Sequence, residues 1–137
     1  MKVFFDTNIL IDVLARREPF FSDSAQVWTL AERGAIEGLV SVISFNNIYY
    51  IVRKLRSRKT AERMMVLLRN TFTAVALDDQ ILNQAIDARF KDFEDAIQHF
   101  SAIRAGVDCI VTRNISHFPP ADLAPLTPKE FLASRFI

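Results

Sequence analysis

Short apolar runs alternate with longer amphipathic stretches along the chain, and this alternation predicts strands and helices in turn. The apolar runs are too short for helices and end at polar or turn-forming residues, so they indicate buried β-strands. The predicted strands are 3–5, 38–41, 73–77 and 108–112, with a short fifth strand near Leu126.

The amphipathic stretches carry apolar residues at helical spacing. Gly34 ends the second of them, and Asp78 and Asp92 can each cap the helix that they open. The predicted helices are 8–15, 22–33, about 45–55, about 60–69, 78–90 and 92–105, with a last helix beginning at Pro128.

This order of elements predicts an α/β fold. Strands that lack a polar face and alternate with helices indicate a mostly parallel sheet of four to five strands, covered by helices on both faces. The chain has 137 residues, which suits a single domain over 1–137. In such sheets, ligands bind outside the carboxyl ends of the strands, so the residues that follow each strand are the candidates for function.

Composition narrows the class of protein. Half of the residues are hydrophobic and 24% are charged, which is typical of a globular chain, and the net charge of +1 gives no global attraction to nucleic acid. The single cysteine, Cys109, excludes an internal disulfide. The chain shows neither a signal peptide nor an apolar run of about 20 residues, so we expect a soluble, cytoplasmic protein without membrane contact.

Polar side chains follow three of the predicted strands. Asp6 comes directly after the first strand, Asn47 follows the second, and Thr112, Arg113 and Asn114 follow the fourth. These segments can converge at one edge of a parallel sheet. Polar residues at that edge are not expected to belong to the core.

Asp6 has two interpretations, which are compatible with each other. It can cap the following helix, or it can be an oxygen ligand of a hard cation such as Mg²⁺. Asp92 and Asp95, three residues apart, can likewise be a capping pair or share a helix face as ligands. Asp95 is predicted to lie on a buried flank, whereas Glu94 is predicted to point to solvent.

Basic residues near these segments also have two interpretations. The run 53–59, which includes Arg53 and Lys54, is either a solvated helix end or a patch that contacts phosphate. His117 is either a surface residue next to Phe118 or an imidazole that binds phosphate or metal, and the surface interpretation is favoured.

Four segments taken together resemble the PIN-domain family of nucleases, and within it the short bacterial branch that resembles VapC-type toxins. They are Asp-Thr-Asn-Ile-Leu at 6–10, Ser-Phe-Asn-Asn-Ile-Tyr-Tyr at 44–50, Asp-Phe-Glu-Asp-Ala at 92–96 and Ile-Val-Thr-Arg-Asn at 110–114. The resemblance implies a three-layer α/β/α sandwich and cleavage of single-stranded RNA that depends on Mg²⁺ or Mn²⁺. It also implies a toxin–antitoxin pair, since many relatives are toxins held inactive by an antitoxin protein.

The resemblance assigns roles to individual positions. Asp6 matches the first acid of the family, and Asp95 matches the acid at the start of the helix before the fourth strand. Asn47 stands where the family usually has Glu, and His117 stands where it often has Asp. Two expected carboxylates are therefore replaced, and Asp92 is predicted to compensate.

The resulting hypothesis has Asp6, Asp95 and Asp92 holding one or two divalent ions that activate water for attack on RNA. Asn47 and Asn114 would orient ligands and water, and Thr112 would support Asp6. The RNA backbone would be held by Arg113, Arg53 and Lys54.

Two other classes of protein remain open. The replacements at Asn47 and His117 are compatible with a catalytically weakened RNA-binding or scaffold protein. An Asp after the first strand also suits a phosphatase nucleophile, although position 8 is Asn8 rather than a second Asp. Several aromatic residues could form an apolar surface for a homodimer or an antitoxin, although a core position is favoured for most of them. They are Phe20, Phe21, Trp28, Tyr49 and Tyr50.

Overall fold

A five-stranded, all-parallel sheet forms the centre of the fold. The computed structural model describes residues 1–120 and 122–135. The sheet has the strand order β3-β2-β1-β4-β5. Its strands are β1 (Lys2–Phe5), β2 (Glu37–Ser41), β3 (Thr73–Val75), β4 (Cys109–Val111) and β5 (Pro125–Leu126). The predicted α/β class is confirmed, and the predicted fifth strand is present.

Seven α-helices connect and follow these strands. They are α1 (Thr7–Leu14), α2 (Phe21–Glu32), α3 (Val42–Leu55), α4 (Arg58–Thr71), α5 (Asp79–Ala88), α6 (Phe93–Ala105) and α7 (Pro128–Arg135). Both predicted aspartate caps are confirmed, because Asp78 and Asp92 accept hydrogen bonds from the backbone of α5 and α6. None of the helices in the described ranges is long and apolar enough to cross a membrane.

Three local features differ from the prediction. Helix α3 begins at Val42, because Ser41 Oγ accepts the Ile43 N–H at 3.2 Å and caps it three residues earlier than expected. Asn47 consequently lies in the second turn of α3 rather than at its opening. Strand β3 ends at Val75, and a 3₁₀ turn that was not predicted spans Ile115–His117.

Alternate residues of the central strands enter two different cores, as the pleat requires. On one face, Val3 and Phe5 of β1 pack with residues of α1, α2 and α3. On the other face, Phe4 packs with Ile110 of β4 and Ala102 of α6. The two cores confirm the three-layer α/β/α arrangement.

The carboxyl ends of β1 and β4 lie side by side at the centre of the sheet. The Asp6 N–H donates to the Val111 carbonyl at 3.0 Å, so the pairing continues one residue beyond β1. Asp6 and Thr112 therefore leave the sheet together, at the edge where α1 and α3 also begin. This is the position where ligands bind in open parallel sheets.

Candidate functional site

Asp6 is a buried carboxylate held between β1 and α1. Its residue surface is 1% exposed, and Thr112 Oγ1 donates to its Oδ2 at 2.8 Å. Burial raises the pKa of Asp6 to about 6, with a further rise from Asp95, and the Thr112 hydrogen bond opposes the rise. Asp6 occupies the N-cap position of α1, but its side chain makes no capping hydrogen bond, so the carboxylate is not committed to capping.

Asp92 and Asp95 play different parts at the start of α6. Asp92 is exposed, and its Oδ1 accepts the Asp95 N–H at 3.0 Å, which caps the helix. Asp95 is buried, and its Oδ2 accepts a hydrogen bond from His117 Nδ1 at 2.9 Å. Burial and the charge of Asp92 raise the pKa of Asp95, and His117 opposes this rise. The expected burial of Asp95 is confirmed, and His117 is half-exposed beside it rather than remote from the site.

Glu94 does not point to solvent as predicted. Its side chain is half-buried, and Asn47 Nδ2 from α3 donates a hydrogen bond to Glu94 Oε1. Burial raises the pKa of Glu94, followed in order by the charges of Asp6, Asp92 and Asp95. The correction has a simple cause: Glu94 occupies the first turn of α6, which faces α3 across the sheet edge instead of facing water.

A buried polar network that the sequence reasoning missed ties the three helices of the site together. Gln98 Nε2 donates to Thr7 Oγ1 and Ser44 Oγ, each at 2.9 Å, and these two hydroxyls are 2.5 Å apart. All three residues are buried. The network fixes the starts of α1 and α3 against α6 and so positions Asp6, Asn47 and Asp95. Its signal was Gln98 itself, a polar residue among buried positions of α6.

Arg113, predicted to hold the RNA backbone, is engaged elsewhere. Its Nε lies 2.7 Å from Oδ2 of Asp12, which is 0% exposed within α1, and its guanidinium lies 4.1 Å from the centre of the Phe20 ring. Burial raises the pKa of Asp12, and Arg113 opposes that rise. Loss of one partner of a buried ion pair leaves the other charge buried and unpaired, which destabilises the fold. This contact therefore fits a structural role for Arg113.

Substitution of Arg113→Met is expected to lower the free energy of unfolding by about 2 kcal/mol, because Asp12 stays buried without its cation. The added change Asp12→Asn should recover much of this loss, which urea titration of the single and double variants would measure. Unchanged stability together with weakened RNA binding by Arg113→Met would instead support the original assignment.

The remaining predicted residues lie outside the acidic group. Arg53 and Lys54 are exposed in the last turn of α3, where Arg53 is about 9 Å further along the helix axis than Asn47 at a rise of about 1.5 Å per residue. Asn114 is half-buried after β4, and its backbone N–H donates to Thr112 Oγ1 at 3.0 Å. Helix α3 therefore carries its basic end away from the acids.

A cleft of about 570 Å³ opens beside the acids. Asp92, Asp95 and His117 contribute to its polar wall together with Lys91, and Phe90 and Pro119 contribute to its apolar wall. A lining that combines charged and apolar side chains suits a ligand that has both a charged and a flat apolar part, as a nucleotide does.

The donor chemistry of the site fits a hard divalent cation. Asp6, Glu94 and Asp95 offer carboxylate oxygens, each with a raised pKa because burial and like charges disfavour ionisation. Across residues 1–120 and 122–135, however, no three His, Cys, Asp or Glu side chains are already gathered around one point. The acids are thus close enough to raise one another's pKa, and a cation would relieve that repulsion.

The chain is similar to known proteins in sequence and in fold. The chain is 26% identical over 135 residues to Ribonuclease VapC1 of Aquifex aeolicus. The alignment covers 95% of this chain and 92% of that protein. The fold is similar to VapBC-1 from nontypeable Haemophilus influenzae, with a TM-score of 0.70 and 17% identity over 94% of this chain and 99% of that one. It is also similar to VapC20 of Mycobacterium tuberculosis, a sarcin-ricin loop cleaving toxin, with a TM-score of 0.63 and 14% identity over 79% and 86% of the two chains.

The family model described as "PIN domain" matches residues 2–116. This range holds the carboxyl ends of β1 to β4 and the acids of the site, from Asp6 to Asp95. The chain therefore belongs to the PIN-domain family.

Proposed function

We propose that this protein is an endoribonuclease that cleaves single-stranded RNA with the help of Mg²⁺ or Mn²⁺. The observation that carries the proposal is the pair of buried carboxylates Asp6 and Asp95. Among the described side chains, the basic groups that act on them are half-exposed His117 and Arg113. Buried acids are costly unless paired or metal-bound, and this pair lies where ligands bind in such sheets.

Different residues of the chain would hold the ion, fix its ligands and orient the substrate. Asp6 and Asp95 would hold the ion, which when bound supplies an activated water and stabilises charge on the phosphate. Thr112 fixes Asp6 through its hydroxyl, and His117 fixes Asp95 through Nδ1. Asn47 and Asn114 retain the predicted role of orienting groups. The neighbouring cleft would receive the nucleotide next to the reacting phosphate.

RNA is favoured as substrate by the relatives. Ribonuclease VapC1 matches nearly the whole chain, and VapC20 shares the fold and is described as cleaving the sarcin-ricin loop. An RNA substrate and the free, buried Cys109 also fit the predicted cytoplasmic location.

The proposal is tested by incubating purified protein with end-labelled single-stranded RNA of mixed sequence. We expect cleavage with Mn²⁺ or Mg²⁺ and none with EDTA. RNA binding without cleavage, across several RNAs and both metals, would instead support the weakened RNA-binding protein.

An antitoxin partner is part of the same proposal. A similar structure from Klebsiella pneumoniae is a toxin–antitoxin complex, and this chain has a groove of about 700 Å³ between α1, α3 and α4. Apolar side chains such as Leu14, Ile51 and Leu55 line the groove, together with Arg56 and Arg63. An amphipathic helix with acidic flanks would complement it. A homodimer remains a prediction, and of the aromatic residues considered for it Trp28 is buried in the core while Phe20 and Tyr50 are exposed.

The variant Leu55→Asp is expected to abolish binding of the antitoxin without reducing RNA cleavage. Leu55 is 65% exposed, so the substitution should leave the fold intact while placing a charge in the apolar groove. Co-purification with the protein encoded by the neighbouring reading frame would measure binding. Ile86→Asp places the same charge at an exposed apolar position of α5, outside the groove, and serves as the matched control. Equal recovery of the partner by both variants would place the antitoxin elsewhere.

A further inference from the structure

One carboxylate oxygen of Asp92 caps a helix and the residue faces solvent, although the sequence predicts Asp92 as the third metal ligand. Its Oδ1 caps α6 by accepting the Asp95 N–H, and the residue is exposed. A capping residue precedes the helix, so the expectation that Asp92 and Asp95 share a helix face does not apply. Asp92 is therefore poorly placed to approach a cation between Asp6 and Asp95.

Glu94 is better placed than Asp92 to reach a cation between Asp6 and Asp95. It is half-buried in the first turn of α6, directly before the buried Asp95, and its side chain contacts α3. Asn47 Nδ2 donates to its Oε1, and no donor in the described part of the chain contacts its Oε2. One oxygen is thus fixed from α3 while the other is left for a ligand.

We propose that Glu94, rather than Asp92, is the third carboxylate that holds the divalent ion with Asp6 and Asp95, and that Asn47 positions Glu94. The inference rests on the proposed function, since it assigns a residue to the same metal site. It also explains what Asn47 contributes. A neutral amide in α3 cannot add charge to the site, but it can direct a carboxylate from α6 into it.

Calorimetric titration with Mn²⁺ tests the assignment without measuring activity. We expect Glu94→Gln and Asp95→Asn each to weaken Mn²⁺ affinity by at least about tenfold. Asp92→Asn should stay close to the wild type, because Asn caps a helix as well as Asp does. Asp87→Asn, an exposed acid on α5, is the control for a general loss of negative charge.

Urea unfolding of the metal-free protein distinguishes two roles for Glu94: a metal ligand, or a residue that only joins α3 to α6. If Glu94 is a ligand among repelling acids, Glu94→Gln raises the urea midpoint at neutral pH, because it removes one of the charges. A role that only joins the helices predicts no rise in Glu94→Gln, whose amide oxygen can still accept from Asn47 Nδ2, and a lower midpoint in Glu94→Ala. For Asn47, Asn47→Ala should weaken Mn²⁺ binding in the wild type and have no further effect in the Glu94→Gln background, as expected for a residue that acts through Glu94.

The outcomes distinguish this inference from the proposed function. Wild-type Mn²⁺ affinity in Glu94→Gln, with loss of binding in Asp95→Asn, would overturn the role of Glu94 and leave the metal site intact. Weakened binding in Asp92→Asn alone would restore the original ligand set. Failure of the wild-type protein to bind Mn²⁺ or Mg²⁺ would overturn both.

Discussion

Asp6→Asn is expected to reduce cleavage of single-stranded RNA by at least about 100-fold, which corresponds to about 3 kcal/mol of lost transition-state stabilisation. Asp6 offers a free carboxylate oxygen at the strand edge, and no other described acid lies directly after a central strand of the sheet. Asn has the same shape but only a neutral oxygen, so it would bind a divalent ion weakly. Initial rates at the Mn²⁺ concentration that just saturates the wild-type protein would measure the loss.

The loss should occur without unfolding. Thr112 Oγ1 can donate to an amide oxygen as it does to Asp6 Oδ2, so the hydrogen bond at this position can persist. Asp87→Asn makes the same chemical change at an exposed position of α5 and should cleave at the wild-type rate. Equal cleavage by Asp6→Asn and Asp87→Asn preparations would point to a contaminating nuclease and remove Asp6 from the site.

The metal-free protein should become less stable as the pH rises from acidic to neutral values. The pKa of Asp6 is about 6 in the folded chain and 3.8 as its ordinary value, so the folded state binds the extra proton between these limits. The stabilising contribution of Asp6 is therefore greatest below the ordinary value and is lost as the pH rises through the folded pKa. The full effect is about 3 kcal/mol, of which about 2 kcal/mol falls between pH 4.5 and pH 7.5. Glu94 and Asp95, whose pKa values are also raised, act in the same direction.

Urea unfolding of the EDTA-treated protein at several pH values would measure this dependence. Asp6→Asn provides the reference, because the difference between its stability and that of the wild type isolates the contribution of residue 6. The variant should be the more stable protein at pH 7.5, and added Mn²⁺ should reduce or reverse that difference. A wild-type curve parallel to that of Asp6→Asn would show that Asp6 is already paired with a cation or remains accessible to water.

Features that repeat along the chain could be predicted from the sequence. The apolar runs located the strands, the alternation of elements indicated the parallel sheet, and the residues after β1 and β4 pointed to Asp6 and Thr112. Asp92 and Asp78 were recognised as caps because capping depends on a residue and its immediate neighbours. These properties are local, so a single sequence contains them.

Contacts between distant segments could not be predicted in the same way. Glu94 was expected in solvent because the pattern of α6 does not reveal that α3 covers its first turn. The pairing of Arg113 with Asp12 was missed for the same reason, although an acid on the apolar face of α1 was a usable signal. Local pattern indicates that a polar residue is buried, but only the packing of the helices identifies its partner.

The most direct test of a metal-dependent ribonuclease at Asp6 and Asp95 is one Mn²⁺ titration in which binding and RNA cleavage are measured on the same preparation. Cleavage should be absent in EDTA and should rise with the fraction of protein that binds Mn²⁺, with both signals lost in Asp6→Asn and in Asp95→Asn. Cleavage that persists in EDTA, or Mn²⁺ binding that survives both substitutions, would contradict the assignment of these carboxylates as the metal-binding centre.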